Sequence, residues 1–325
     1  MGSLSAGDRV GRSVDELASV EGVGRVTIAR LKSAGISCLE DLVVFNPEEL
    51  EELAGIDYER AVKVIRAARQ LLGWSARIYK GREYAETLTR RETLTTGVRA
   101  LDELLGGGLV VYDIYEFAGE FGTGKTQLCH QLAVTAQLSP ARGGLGGNVV
   151  YIDTEGTFSP ERVEKIAQRF GVEDPLSKVY VARPINVDEM EEVVVRNLAP
   201  LLREGVRLIL VDSIIALYRA EFKGREWLAA RQQRINYLLD WLKRLARVHE
   251  AVVVITNQVV AVPSTWGVTI KLPAGGNIIA HASTHRFLLK KAGDVWTAEC
   301  LDSPRIARGA SVPFLITEDG LCDVK

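Results

Sequence analysis

The patterning of this chain predicts an α/β fold, a mainly parallel twisted sheet with covering helices, preceded by a small all-helical domain. Three observations carry that prediction. From about Leu94 onward, short runs rich in β-branched residues alternate with stretches of helical periodicity, the pattern of βαβ units. Residues 14–73 instead hold closely spaced helix start and stop signals. Between them, residues 74–96 are rich in Arg, Lys, Glu and Thr with weak periodicity, and read as a linker with a short helix or strand. The expected organisation is a helical domain over 1–73, a linker over 74–96 and an α/β domain over 97–325.

In the helical region, Ser37 and Glu40 have capping-box spacing before Leu42–Val44. Asn46-Pro47 reads as an N-cap followed by proline at the first helical position. Asp57 can cap a helix through Ala61, Val64, Ile65 and Leu71, which Gly73 can end. Two hairpin-like turns, Val20–Gly24 and the weaker echo Leu53–Asp57, suggest a duplicated helix–hairpin–helix unit. Its glycines, Gly22 and Gly24, let successive amides point outward at a helix N-terminus, where they can hold a DNA phosphate without reading bases. A tight helical corner that binds nothing fits the same residues.

In the α/β region the candidate strands are Tyr112–Ala118, Asn148–Asp153, Lys178–Arg183, Arg207–Asp212, Val252–Asn257, Arg286–Lys290, Trp296–Leu301 and Val312–Thr317. The candidate helices are Lys125–Gln137, Pro160–Phe170, Asp188–Arg203 and Glu226–His249. In the last, Leu228, Ile235, Leu238, Leu239, Leu242 and Leu245 make one apolar stripe.

Composition excludes several classes. The chain has 325 residues, 47% hydrophobic and 25% charged, which is neither disordered, fibrous nor a small disulfide scaffold. At roughly 150 residues per domain, that length suggests about two. Lys and Arg total 40 against 42 Asp and Glu, a net charge of −2. Any grip on nucleic acid must therefore come from local patches or backbone amides. Cys38, Cys129, Cys300 and Cys322 form no C-x-x-C pair, so no zinc cluster is expected, and scattered thiols suit a reducing cytoplasm. The opening residues MGSLSAGDRVGRS lack the apolar core of a signal peptide, and stretches such as Val206–Leu217 are too interrupted to span a bilayer. A cytoplasmic protein without membrane contact is expected.

The chemistry concentrates in a few motifs. Gly119-Glu120-Phe121-Gly122-Thr123-Gly124-Lys125-Thr126 matches G-x-x-x-x-G-K-[ST] in full, between a strand ending at Ala118 and a helical pattern from Lys125. Its amides can wrap phosphates, Lys125 supplies a cation to the β- and γ-phosphates, and the Thr126 hydroxyl can ligate Mg²⁺. Leu208–Asp212 is an apolar strand ending in a carboxylate, which suits Asp212 as the second Mg²⁺ element. Glu155 lies just past another strand, where a carboxylate can polarise the attacking water; a surface Glu capping the next helix also fits that position. Gln258 also ends a strand, either as a γ-phosphate sensor or as a turn residue. Arg219, Lys223, Arg225, Arg231 and Arg234 make a basic cluster after Asp212, although Arg231 and Arg234 also suit a solvated helix face. Residues 259–280 read as a long loop whose only cation is Lys271. Both segments follow strands that carry nucleotide-site residues, so both can grip a phosphate backbone.

Taken together, EGVG, TTGVRALDELLGGG, GEFGTGKTQLCHQLAV, VYIDTEGTF, LILVDSI, YRAEFKGRE, ARQQ, ITNQVV, GGNIIAHAST and LDSP resemble the RadA family, the archaeal recombinases of the RecA superfamily, from Val14 to the C-terminus. The resemblance implies a RecA-type ATPase core using ATP and Mg²⁺ between protomers of a filament or ring on single- or double-stranded DNA, with other recombination proteins as further partners. It implies Glu155 as the water-activating residue, Gln258 as the link from γ-phosphate to the second DNA loop, and His281 as a nearby phosphate sensor. It places Gln127 and Arg162 at the nucleotide, with Arg162 packed on adenine. It makes Asp302-Ser303-Pro304 the cap over the neighbouring subunit's nucleotide. Residues around 219–231 match the first DNA loop and 259–280 the second. Two departures stand out. The family's Phe-x-x-Ala docking motif is here Ile78-Tyr79-Lys80-Gly81, and the second loop lacks the usual acidic-proline and basic pieces. Three functions follow: a DNA-dependent ATPase recombinase, a RadA-like accessory protein that binds ATP and DNA without exchanging strands, or another RecA-type ATPase such as a hexameric helicase. The helix–hairpin–helix region and the HAST and ARQQ segments count against the third.

Overall fold

The computed structural model describes residues 11–74, 78–263 and 269–324. Two compact units divide them: residues up to Arg90 with Ala199–Glu204, and Arg91–Leu198 with Gly205 onward.

The first unit opens with a 3-10 turn, Val14–Ser19, followed by α1 (Arg25–Ser33), α2 (Leu39–Leu42), α3 (Pro47–Ala54), α4 (Tyr58–Leu71) and α5 (Gly81–Thr89). Asn46 caps α3 as its sequence indicates. Its side chain accepts from the Glu49 amide and the Glu49 carboxylate accepts from the Asn46 amide, both at 2.9 Å. Asp57 caps α4 through the Arg60 amide, and Gly73 follows the helix in the left-handed region. The Ser37–Glu40 capping box does not form. The segment before α2 is extended and pairs with Arg12–Val14, so Cys38 becomes the N-cap and offers no side-chain bond. Glu40 turns instead to the Arg12 amide at 3.0 Å. Leu17, Leu31, Leu39, Leu42, Leu50, Ala61, Val64 and Ala68 are fully buried and form the unit's apolar interior. At about 1.5–3 kcal/mol for burying a Leu or Val side chain, they are what lets so small a domain hold. The linker segment forms α5, none of whose residues is buried, and Ile78 just before it is fully exposed.

The second unit is the α/β domain. Strands β1 (Thr93–Leu94) and β2 (Leu109–Val110) pair antiparallel around α6 (Arg99–Leu105). Then follow β3 (Ile114–Gly119), α7 (Lys125–Thr135), β4 (Asn148–Asp153), α8 (Pro160–Phe170), β5 (Val179–Ala182), α9 (Val187–Glu192), α10 (Leu198–Arg203, which from Ala199 on belongs to the first unit), β6 (Val206–Asp212), α11 (Ala216–Glu221), α12 (Leu228–His249), β7 (Val252–Pro263), β8 (Thr269–Pro273), α13 (Gly276–Ala282), β9 (His285–Ala292), β10 (Val295–Asp302), β11 (Ser311–Thr317) and β12 (Gly320–Cys322). The large sheet runs β12-β11-β10-β9-β3-β7-β6-β4-β5, with β8 added to the far half of β7. From β9 to β5 every pairing is parallel; from β9 to β12 every pairing is antiparallel. Continuous burial along β3, β4 and β6 explains their unbroken apolar runs.

Three differences from the sequence expectation have local causes. The strand expected from Tyr112 begins at Ile114, because Tyr112 sits at φ +76° and turns the chain. The single helix expected over Asp188–Arg203 is interrupted by a π-helical turn, Val193–Asn197, opening on three consecutive valines. Residues 259–280 are not a long loop. Val259–Pro263 pairs antiparallel with Thr269–Pro273, and α13 follows. The turn joining the two strands lies outside the described residues.

Candidate functional site

Parallel register brings the functional residues to one edge of the sheet. Gly119 at the end of β3 lies opposite Gln258 on β7, and Asp153 at the end of β4 lies opposite Asp212 on β6. Residues from four strands, three of them at the strand's end and Gln258 partway along β7, therefore share the carboxyl edge of the parallel sheet, where open α/β sheets place ligands.

The glycine-rich turn leaves β3 at Gly119 and delivers the chain into α7. Gly122 and Gly124 adopt φ +75° and +93°, the left-handed geometry that lets the chain turn tightly between β3 and α7 and can expose successive amides to an anion. Gly119 is fixed by space, since a Cβ there would meet Thr123 Oγ1 at 2.3 Å and the Leu289 carbonyl at 2.7 Å. Lys125 Nζ folds over this turn and donates to the carbonyls of Gly119 at 2.9 Å and Glu120 at 2.7 Å. Burial pushes the Lys125 ammonium below its ordinary value, and the nearby carboxylates of Asp212 and Glu155 oppose that shift. Glu120 and Phe121 project outward and Thr123 is buried. Trp296 Nε1 braces the turn from β10 by donating to the Gly122 carbonyl at 3.2 Å. Thr126, in the first turn of α7, stands where amides, the helix dipole and Lys125 all favour an anion. A triphosphate fits this donor set, and an oxygen-seeking Mg²⁺ suits the Thr126 hydroxyl with Asp212.

Asp212 is buried, and its two oxygens are held by Tyr151 Oη at 2.8 Å and Thr256 Oγ1 at 2.5 Å. Glu155 is not a helix cap: α8 is capped by Ser159. Its Oε1 instead accepts from Ser213 Oγ at 2.8 Å and from Gln258 Nε2 at 3.0 Å. Gln258 Oε1 in turn accepts from Arg219 at 2.9 Å. Arg219, Gln258 and Glu155 thus form one hydrogen-bonded line from α11 to the phosphate edge. At the other end of the turn, Arg162 Nε donates to Gln127 Oε1 at 2.6 Å, and its guanidinium also bonds the Thr317 and Glu318 carbonyls. Those bonds fix the guanidinium plane beside α7, and a held planar guanidinium is suited to stacking on a base.

Not every expected residue joins this group. His281 is exposed on the last turn of α13. Asp302 lies opposite Arg286, and Arg286 opposite Glu116, so Asp302 and Pro304 sit well back from Gly119 toward the amino end of β3. Both are exposed. Neither is brought to this chain's own phosphate turn by that register.

The basic residues divide by partner. Arg219 is tied to Gln258, and Lys271 on β8 pairs with Glu120 of the phosphate turn at 2.6 Å. Lys223 and Arg225 are exposed in the turn between α11 and α12, and Arg231 is half-buried on α12. Arg234 leaves the cluster: it bonds Asp188 and Glu191 and lies over Phe222. In the helical unit, Gly22 sits at φ +78° and Gly24 is the N-cap of α1. A Cβ at Gly24 would meet nothing within 4 Å, so this chain itself does not require glycine there. Lys63 brings an ammonium beside Gly22, a cation that sequence spacing does not reveal.

Sequence reasoning also missed a buried polar group beneath the site. Glu116 in mid-β3 is fully buried and accepts from Arg286 Nε at 2.5 Å and Asn257 Nδ2 at 2.7 Å; Asn257 also bonds the Ala274 carbonyl at 2.7 Å. It links the strand entering the phosphate turn to the strands flanking it. A charged residue inside an apolar run was the one available signal.

Two family models match the chain: Rad51 over residues 89–324, and a SAM-like helix-hairpin-helix tandem over 14–70. The α/β unit is a RecA-type core, and the unit before it is an all-α helix–hairpin–helix domain. Both matches imply DNA binding, and the larger one implies oligomerisation and a RecA-like recombinase function with ATP and Mg²⁺. No helix among the described residues is long and apolar enough to cross a membrane. With its α/β core matched from end to end, the chain belongs to the Rad51 family.

Proposed function

We propose that this protein is a RadA-like, DNA-dependent ATPase that assembles on single-stranded DNA and catalyses homologous pairing and strand exchange. The observation that carries the reading is the line Arg219–Gln258–Glu155, which joins a candidate DNA contact to a candidate catalytic base through two hydrogen bonds. Lys125 and the amides of the phosphate turn hold the triphosphate, with Gln127 and Arg162 at the base. Mg²⁺, held by Thr126 and Asp212, would neutralise charge on the phosphates. Glu155 orients the attacking water and takes its proton. Ser213 and Gln258 keep the Glu155 carboxylate at the strand edge. Asp302 and Pro304 close over the nucleotide of the next copy, and His281 faces the same junction. Gly22, Gly24, Arg219, Lys223, Arg225, Arg231 and Lys271 supply the DNA contacts. The domain limits follow: DNA-binding helices over 1–73, a docking linker over 74–96 and the ATPase core over 97–325, in a cytoplasmic protein.

A second reading has its own observation. Ile78 is smaller than the Phe of Phe-x-x-Ala and Gly81 lacks the Ala methyl, which favours an accessory paralogue that assembles weakly. One assay separates the two: strand exchange between circular single-stranded DNA and its homologous duplex, with ATP and Mg²⁺. Joint molecules from the wild type, absent with Lys125→Ala, support the recombinase. ATP hydrolysis without joint molecules assigns the accessory role.

A further inference from the structure

We propose that His285 is a positioning residue for the nucleotide cap, seating Ser303 and thereby aiming Asp302 and Pro304 at the neighbouring copy; this rests on the trans role given to that segment above. His285 lies at the first position of β9, opposite Tyr115 on β3, and is 1% exposed. Its ring stacks on Tyr115 at 4.6 Å and 14°. Both ring nitrogens are engaged, Nδ1 with Ser303 Oγ at 2.8 Å and Nε2 with Asp113 Oδ2 at 3.3 Å. Asp113 also faces Arg91 at 3.9 Å.

Hydrogen-bond bookkeeping fixes who donates. Ser303 Oγ accepts from the amides of Arg305 and Ile306, each at 3.2 Å. A hydroxyl has two lone pairs and one proton, so the proton is what remains for His285. Nδ1 therefore accepts, and the imidazole proton sits on Nε2, directed at Asp113. The order Ser–His–Asp resembles a nucleophile relay, but this hydroxyl is saturated by two amides and its function is orientation.

The cap needs such an anchor because the strand releases it. The β9–β10 register slips between Cys300 and Asp302, and β10 ends at Asp302, directly after this irregularity. The chain re-enters pairing only near Ala310, whose carbonyl accepts from the Cys300 amide at 2.8 Å. In between, the segment is attached to the stack at two points: Ser303 to His285, and Arg305 to Tyr115 Oη at 3.1 Å. Ser303 stands between the two cap residues, so its seating sets the direction of both.

The test compares ATP hydrolysis on single-stranded DNA by the full-length wild type and by Asp302→Ala, His285→Phe, His285→Asn and Ser303→Ala. Phe keeps the stack and loses both hydrogen bonds; Asn keeps an acceptor for Ser303. Loss of one such bond corresponds to about a five- to tenfold rise in the KM for ATP in His285→Phe and Ser303→Ala. The kcat should stay within about twofold, and Asn should restore most of the KM, because only cap placement changes. A fold defect would lower kcat and would not be rescued by Asn. If Asp302→Ala raises KM while Ser303→Ala and His285→Phe do not, the cap stands and the positioning role is overturned. If Asp302→Ala leaves KM unchanged, the cap reading itself fails and the proposal falls with it. Should His285→Phe fail to fold, Ser303→Ala alone decides, since its side chain lies at the surface end of the contact.

Discussion

Acidifying this protein from pH 7.5 to 4.5 drives a proton toward His130, which has no place for a charge. His130 lies in α7, 1% exposed, between Tyr151 and Phe158 at ring distances of 5.8 and 5.7 Å. Its Nε2 accepts from the amide of Ser159, the N-cap of α8, at 3.1 Å. Burial lowers its pKa to about 4, with Arg162 acting in the same direction and Asp153 against it. The unfolded chain should titrate near 6.5. Because the folded value is depressed, the unfolded chain takes the proton first. The neutral-His contribution is therefore complete above about pH 6.5, falls as pH drops from there toward 4, and then levels. The interval is worth about 3 kcal/mol in full and about 2.5 kcal/mol by pH 4.5. Protonation also turns the Ser159 acceptor into a donor, so the α8 cap loses its partner. Urea unfolding of wild type and His130→Gln across this range isolates the effect, because carboxylates common to both cancel in the difference. The stability advantage of wild type over His130→Gln should shrink by about 2.5 kcal/mol between pH 7.5 and 4.5. Curves that stay parallel to within about 0.5 kcal/mol, the scale of a neutral surface change, would refute the assignment of a buried neutral imidazole.

Glu155→Gln should retain ATP binding and slow DNA-stimulated hydrolysis by about 10²-fold or more, the scale for a positioned general base; unchanged turnover would remove Glu155 from the chemistry. Gly24→Ala should cost about 0.5–1 kcal/mol, because Ala is a poorer N-cap than Gly although its Cβ meets open space, and should weaken duplex binding in a salt-sensitive way. Fluorescence anisotropy at two salt concentrations reads this, and equal affinity would dismiss a backbone contact at Gly24. Ile78→Ala/Tyr79→Ala should reduce light scattering with ATP and single-stranded DNA, because Ile78 is fully exposed and Tyr79 packs toward Tyr84 at 6.2 Å; a double mutant that assembles as well as wild type moves the docking contact elsewhere.

Local signals were legible and lateral ones were not. Pro160–Phe170 and Asn148–Asp153 have the limits expected of them, because a Ser cap, a Pro at the first turn and an unbroken apolar run are written into consecutive residues. The phosphate turn is legible for the same reason. The Glu116–Asn257–Arg286 group is not, since its members lie on three strands and meet only through register. The β7–β8 hairpin was hidden by composition: Gly, Pro and Thr read as loop, while the alternation that pairs Val259–Pro263 with Thr269–Pro273 is too short to outweigh them.

The basic residues show what this means for function. In sequence, Arg219, Lys223, Arg225, Arg231 and Arg234 form one undivided cluster. In the fold, Asp188 and Glu191 occupy Arg234, Gln258 holds Arg219 and Glu120 holds Lys271. Under the proposed function, a DNA phosphate that captures Arg219 must take it from Gln258, whose other amide end bonds Glu155. One that captures Lys271 must take it from Glu120, within the phosphate turn itself. Each contact would exchange a partner at the nucleotide edge rather than simply add a charge pair. Part of the Coulomb gain is thus offset by the pair that is broken, and what remains appears as a change in how Glu155 and the turn are held. Coupling between DNA and hydrolysis then needs no long path: Gln258 alone spans from Arg219 to Glu155, at 2.9 Å on one side and 3.0 Å on the other.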